Sequence, residues 1–190
     1  MTGHIDNALA FLVQSVIGAY ILIVMLRLLL QWVRADFHNP VSQFVIRATD
    51  AARAPLKLLI PTIGRIDGAC LSLLLILQSA ETLLLGAITG SIPSPGALLL
   101  FSMAEIVQLA LNVFLFSILI EVIMSWINPF ARNPVLILVH SINYPLLAPA
   151  RRIIPPVAGI DLSPIVVILI LQLGGFLIVN PLRGMAIAMW

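Results

Sequence analysis

Four ionisable side chains stand inside the long apolar runs of this chain: Arg27, Glu81, Glu105 and Glu121. A charge in hydrocarbon is costly, so each is a functional candidate by default. Glu105, Gln108 and Asn112 follow i, i+3, i+7 spacing, which lines them along one helix face. Together with Glu81 they offer two carboxylates and two amides, the donor set of a cation or proton site. The same four residues equally suit an interhelical hydrogen-bond seam. Arg27 and Glu121 each precede a tryptophan, Trp32 or Trp126, by the same interval. At matched depth they would form an intramembrane ion pair between two halves of the molecule; the alternative is that Arg27 snorkels to the headgroups along its own stem.

Other chemistry is scarce. There is no Gly-rich phosphate loop, no G-x-S-x-G and no H-E-x-x-H. His4, His38 and His140 share neither register nor spacing, so a matched haem pair is not expected, and they read as interface or capping residues. Cys70 is the single cysteine, which excludes an intramolecular disulfide and a cysteine-based metal cluster. The expectation is a protein that is not an enzyme, with no cofactor and no metal. Its basic loops are diluted by Asp36, Asp50, Asp67 and Asp161 and match no nucleic-acid module. Lys57, Arg151 and Arg152 are the best placed to meet anionic lipid headgroups.

The elements that must position these groups follow from composition. Of 190 residues, 61% are hydrophobic and 9% charged, and the mean hydropathy is +1.13. That leaves too little polar surface to cover a water-soluble globule. A bilayer core about 30 Å thick takes roughly 20 apolar residues in a helix. Four windows qualify: 7–32, 68–89, 97–127 and 162–179. The first reads as a retained span rather than a signal peptide, since no Lys or Arg precedes it and it carries no small-residue cleavage pattern.

Slid against itself by 94 residues, the chain superimposes Trp32 on Trp126, Asn39-Pro40 on Asn133-Pro134, Pro55 on Pro149, Pro61 on Pro155, and Asp67 on Asp161. No gap is needed. The same register overlays Lys57 on Arg151 and the tetrapeptide LILQ at 75–78 on LILQ at 169–172. Two repeats, 1–93 and 94–190, are therefore expected. Each holds two spans, an even number, so both copies enter the membrane in the same sense and form a parallel repeat. The two Asn-Pro segments should then lie side by side at one face.

Basic residues assign that face. Arg34, Arg47, Arg53, Lys57 and Arg65 fall between spans one and two, and Arg132, Arg151 and Arg152 between spans three and four. The connection GAITGSIPSPGA between spans two and three has no charge. Positive charge on the cytoplasmic side puts both motif segments inside and both termini outside. Over 40–54 the apolar residues Val41, Phe44, Val45, Ala48 and Ala52 keep a helical period, which predicts an amphipathic helix in the headgroup plane, stopping before Pro55. Its counterpart, 134–148, is more apolar. Asp67 and Asp161 precede apolar spans and match N-cap chemistry. The predicted fold is thus all-α and integral to the membrane: four transmembrane helices as two parallel two-span repeats, each with an interfacial helix on the cytoplasmic side.

The duplicated W-x6-N-P segment, followed by P-x5-P-x5-D and an apolar span, resembles the YggT family of small integral membrane proteins, from about residue 8 to 182. The resemblance implies the fold, a bacterial inner-membrane location, and links to osmotic-stress tolerance and ion homeostasis. Plastid and cyanobacterial relatives in that family are linked to cytochrome haem assembly, nucleoid organisation and division. It brings no catalytic residues. Two functions follow as expectations. One is a scaffold or assembly factor using the cytoplasmic motif face, with an unknown protein partner and the lipid bilayer as its setting. The other is a small cation channel or transporter component, for which a homo-oligomer would supply the route across.

Overall fold

A computed structural model of the chain describes residues 2–62, 64–128, 133–154 and 161–190. Pro155 of the repeated motif and Arg132 lie outside the described residues. Those described form helices α1 (Thr2–Trp32), α2 (Pro40–Leu59), α3 (Gly68–Thr89), α4 (Pro95–Ile127), α5 (Pro134–Ile153), α6 (Ser163–Gly174) and α7 (Asn180–Ala188), with a π-helical turn at Gly175–Val179 joining the last two. Four helical stretches are long and apolar enough to cross a membrane: His4–Trp32, Gly68–Thr89, Pro95–Ile127 and Ser163–Ala188.

Each repeat is a hairpin of two spans with a shorter helix packed against both of them. α1 packs on α3 and α4 on α6 and α7; α2 touches both spans of the first hairpin and α5 those of the second. The hairpins join mainly through α3 and α4. Ile21, Val24, Met25, Leu73, Leu74 and Ile106 form one buried cluster, and Ile118, Leu147, Val167 and Leu171 form another in the second repeat. A third joins the end of α1 to α5 through Leu30, Ala35, Leu138 and Ile142. Phe114 of α4 packs against all three clusters, and its ring meets Trp32 edge-on at 6.3 Å.

Three helix ends differ from the expectation. α2 and α5 run through Pro55 and through Pro145 and Pro149, ending at Leu59 and Ile153 rather than at 54 and 148. A proline inside a helix forfeits one backbone bond; here the turns beyond it carry residues that packing retains, Leu56 and buried Leu147. The fourth span continues past Val179 to Ala188. Pro181 has no N–H to give Leu177, and the Asn180 N–H bonds the Gly175 carbonyl instead. The ladder widens by one residue for a turn and the helix proceeds.

Short-range chemistry sets the other ends. Asn39, Asn133 and Ser94 accept amide bonds at the starts of α2, α5 and α4, each followed by a first-turn proline. Gly90, at φ +75°, closes α3 in the left-handed conformation. Gly68 starts α3 where a Cβ would stand 2.7 Å from the Pro61 carbonyl oxygen, so the chain can pass there only without a side chain.

Candidate functional site

Arg27 lies near the end of α1, 9% exposed. Its Nη1 donates to Thr49 Oγ1 at 2.7 Å and to the Ile46 carbonyl at 3.1 Å. Nη2 meets Asp50 Oδ1 at 2.7 Å. All three partners lie on α2, where the i, i+3, i+4 spacing of Ile46, Thr49 and Asp50 gathers them on one face. Arg27 thus staples the first span to its own interfacial helix.

Glu121 does the same with the opposite sign. Its Oε2 accepts from Asn143 Nδ2 at 2.7 Å, and Oε1 lies 3.0 Å from His140 Nδ1 and 3.6 Å from Arg151 Nη2. In the register of the repeat Asn143 is Thr49 and His140 is Ile46. The expected Arg27–Glu121 pair does not form. Each charge is satisfied inside its own hairpin, and Leu30, packed on Leu138 and Ile142, and the Trp32–Phe114 contact occupy the space between the halves. Arg27 does not snorkel either, since α2 holds its guanidinium.

The two motif aspartates cap as their position predicts, in different surroundings. Asp67 Oδ1 accepts from the amides of Ala69 at 3.1 Å and Cys70 at 3.3 Å, and its carboxylate binds the Arg53 guanidinium, with Nε at 2.6 Å. Asp67 is 1% exposed and Arg53 9%. Burial works against the charged form of Asp67, but Arg53 and the amide bonds outweigh it and hold the carboxyl below its usual range. Asp161 accepts from the Ser163 amide at 2.9 Å and from Arg151 Nε at 2.8 Å, both side chains being partly exposed. Burial pushes Asp161 up, but Arg151 and Ser163 outweigh it and hold this carboxyl below its usual range as well. The arginine has moved one helical turn: Arg151 stands at the register of Lys57, while buried Leu147 stands at that of Arg53.

The Asn-Pro segments lie together. Asn39 Nδ2 donates to the Pro134 carbonyl at 2.8 Å while its Oδ1 accepts from Val41. Asn133 caps its own helix through Val135. Trp32 is partly buried and Trp126 is exposed, as are Lys57 and Arg152. With Arg151 engaged, Lys57 and Arg152 have no ion-pair partner among the described residues.

The structure divides the cation-site candidates. Glu105 forms a forked pair with Arg183, Nε to Oε1 at 2.6 Å and Nη2 to Oε2 at 2.9 Å. Gln108 donates to Asn112 at 2.9 Å, and these two line a small crevice against Gln172 and Asn180. Glu81, 8% exposed, accepts from Gln78 Nε2 at 2.8 Å and faces, with Glu105, a separate cavity of about 500 Å³. Arg183 escapes notice in the sequence because it lies beyond the expected end of the fourth span. The hint was its isolation, a single arginine past the last apolar run. His140, an interface residue by sequence, acts on Glu121, which only the packing of α5 on α4 reveals. No cluster of His, Cys, Asp or Glu among the described residues could hold a metal ion.

Comparison with known proteins agrees with the duplication. The CCB3/YggT family model matches twice, over residues 6–88 and 100–182. The chain is 40% identical to protein PA0392 of Pseudomonas aeruginosa over 95% of its own length and 93% of that protein's. It is 36% identical to the protein in the proC 3′ region of Vibrio alginolyticus, covering 90% and 93%. To protein YggT of Escherichia coli K12 it is 35% identical, covering 87% and 86%. All three are named as uncharacterised, so their names state no activity. No solved structure matches the chain. With two tandem matches and relatives aligned nearly end to end, this chain is a multi-pass membrane protein that belongs to the CCB3/YggT family.

Proposed function

We propose that the protein is a non-enzymatic scaffold or assembly and stress-tolerance factor of the bacterial inner membrane, with both termini outside and the motif face in the cytoplasm. The observation that carries this reading is the bond from Asn39 to the Pro134 carbonyl. It starts α2 and α5 from a shared point, and Arg27 and Glu121 fasten each helix to its span. The result is one composite surface built from both repeats. Phe44, at 61% exposure, and Tyr144, at 57%, are its aromatic contact groups. At the far ends of the helices, Lys57 with Leu58 and Leu59, and Arg152 with Ile153, combine charge with exposed apolar side chains. That chemistry suits anionic headgroups and seats the face on the bilayer. The partner is a protein complex docking on this surface.

A cation channel within one subunit finds less support. Val24, Met25, Leu74 and Ile106 pack as a buried apolar layer between the Glu81 cavity and the motif face, and Glu105 is neutralised by Arg183. Purified protein in liposomes is expected to pass no potassium, sodium or proton current. A flux abolished by E81Q would sink the scaffold reading. Photocrosslinkers at Phe44 and at Tyr144, in native membranes, are expected to trap the same discrete product. Products limited to lipid, or unrelated between the two positions, would remove the composite face.

A further inference from the structure

Glu81 is the one intramembrane charge that the fold leaves without an opposite charge among the described residues. It sits 13 residues into α3, about 20 Å from the motif face by helical rise. Among the described residues its sole side-chain hydrogen bond comes from the neutral amide of Gln78. Arg183 is occupied through both arms by Glu105, and Arg27 is held at the other end of the bundle by α2. A carboxylate that is 8% exposed, with no cation beside it among the described residues, is an expensive arrangement unless something positive comes to it. The repeat offers no structural reason for it, since the matching position in the second copy is Gly175.

The space in front of Glu81 says what would come. The cavity measures about 500 Å³ and is lined by Gln14, Gln78, Thr82, Phe101 and Trp190 as well as by Glu81 and by Glu105, whose charge Arg183 already meets. That is far more room than a bare alkali ion fills, a single water occupying about 30 Å³. Phe101 and Trp190 meet edge to face, centroids 5.5 Å apart. The indole is fixed in place by its Nε1 donating to Ser91 Oγ at 2.9 Å. A carboxylate and an aromatic pair lining one cavity, together with amide and hydroxyl oxygens, is the donor set that holds an organic ammonium group by ion pairing and cation–π attraction. Gly18 brings the α1 backbone close on the remaining side, a Cβ there standing 3.7 Å from Glu81 Oε1. Two turns deeper, Leu74 and its neighbours close the floor, so the cavity is a place to bind rather than a passage.

We propose that this cavity binds an organic ammonium group, with Glu81 as its counter-ion and the Phe101–Trp190 pair as its aromatic wall. The group could belong to a free amine or to the headgroup of an aminophospholipid, and the same experiment separates the sources. A W32F/W126F variant leaves Trp190 as the only tryptophan. In detergent, its fluorescence is expected to change saturably with tetramethylammonium or ethanolamine. E81Q should lose the response and F101L should weaken it about five- to tenfold, with melting curves reporting that each is folded. A change seen in nanodiscs containing phosphatidylethanolamine but not phosphatidylglycerol, without any response to the soluble amines, would support the proposal and assign the ammonium to lipid. An equal response in folded E81Q, or no response to amine and lipid alike, would overturn it. The scaffold reading stands or falls separately, on the liposome flux and the crosslinks.

Discussion

The two repeats solve one geometric problem with opposite charges. In the first, an arginine at the end of α1 is held by Ile46, Thr49 and Asp50 of α2. In the second, a glutamate at the equivalent place is held by His140 and Asn143, which occupy the positions of Ile46 and Thr49. What the duplication preserves is therefore a fastening between span and interfacial helix, and the sign of the charge is free to drift if its partners drift with it. The motif aspartates differ in another way. Asp67 and Arg53 are sealed in the protein, whereas Asp161 and Arg151 border an open cavity of about 530 Å³ that also reaches Glu121 and Trp126. A buried pair holds its geometry because neither charge has water to turn to, while an exposed one is weak and adaptable. The first copy seals its motif pair, and the second leaves its own pair beside a cavity with room to engage something else.

The sharpest test of that contrast replaces each aspartate by asparagine. D67N leaves a buried guanidinium unpaired and should cost about 3–5 kcal/mol in reversible unfolding from micelles. D161N should cost under about 1 kcal/mol. Equal losses would break the distinction between a sealed and an open copy. Acid sharpens it further. Asp67 is held below its usual range, so its contribution is complete above the unfolded value of about 3.9 and disappears as pH falls through the lower folded value. Wild type should thus lose stability on acidification below about pH 4 more steeply than D67N; parallel acid limbs would mean that the pair adds little.

Next in size is the charge inversion at the fastenings. R27M should lose about 2 kcal/mol, as expected for hydrogen bonds to a charged group. Joining R27E to E121R should rescue nothing, because the two never meet, whereas joining R27E to D50R should recover part of the loss. Rescue by the first combination would restore an inter-repeat pair. The smallest contrast concerns the caps. N39A forfeits a helix cap and the bond to Pro134, about 2 kcal/mol together, and N133A only its cap, about 1 kcal/mol. Thermal shifts of the same size would remove the bridge from the account.

Much of this was legible in the sequence, for identifiable reasons. Apolar runs longer than a bilayer is thick can hardly be anything but spans. Rare residue types recurring without a gap fixed the duplication, and hence the pairing of the Asn-Pro segments at one face. N-caps were readable because Asp and Asn act on amides only two or three residues away. Partner choice was not. Nothing in the spacing says that α2 reaches Arg27 before Glu121 can, that Pro181 is absorbed by a π turn so that Arg183 comes level with Glu105, or that α4 turns Gln108 and Asn112 away from Glu81. Those outcomes depend on how helices rotate and slide to bury Phe114, Leu74 and Leu147. Side-chain periodicity determines which face of each helix is apolar; the three-dimensional packing of those faces decides which charges meet, because an ion pair forms only over a few ångströms and a helix turned by one residue carries its charge elsewhere.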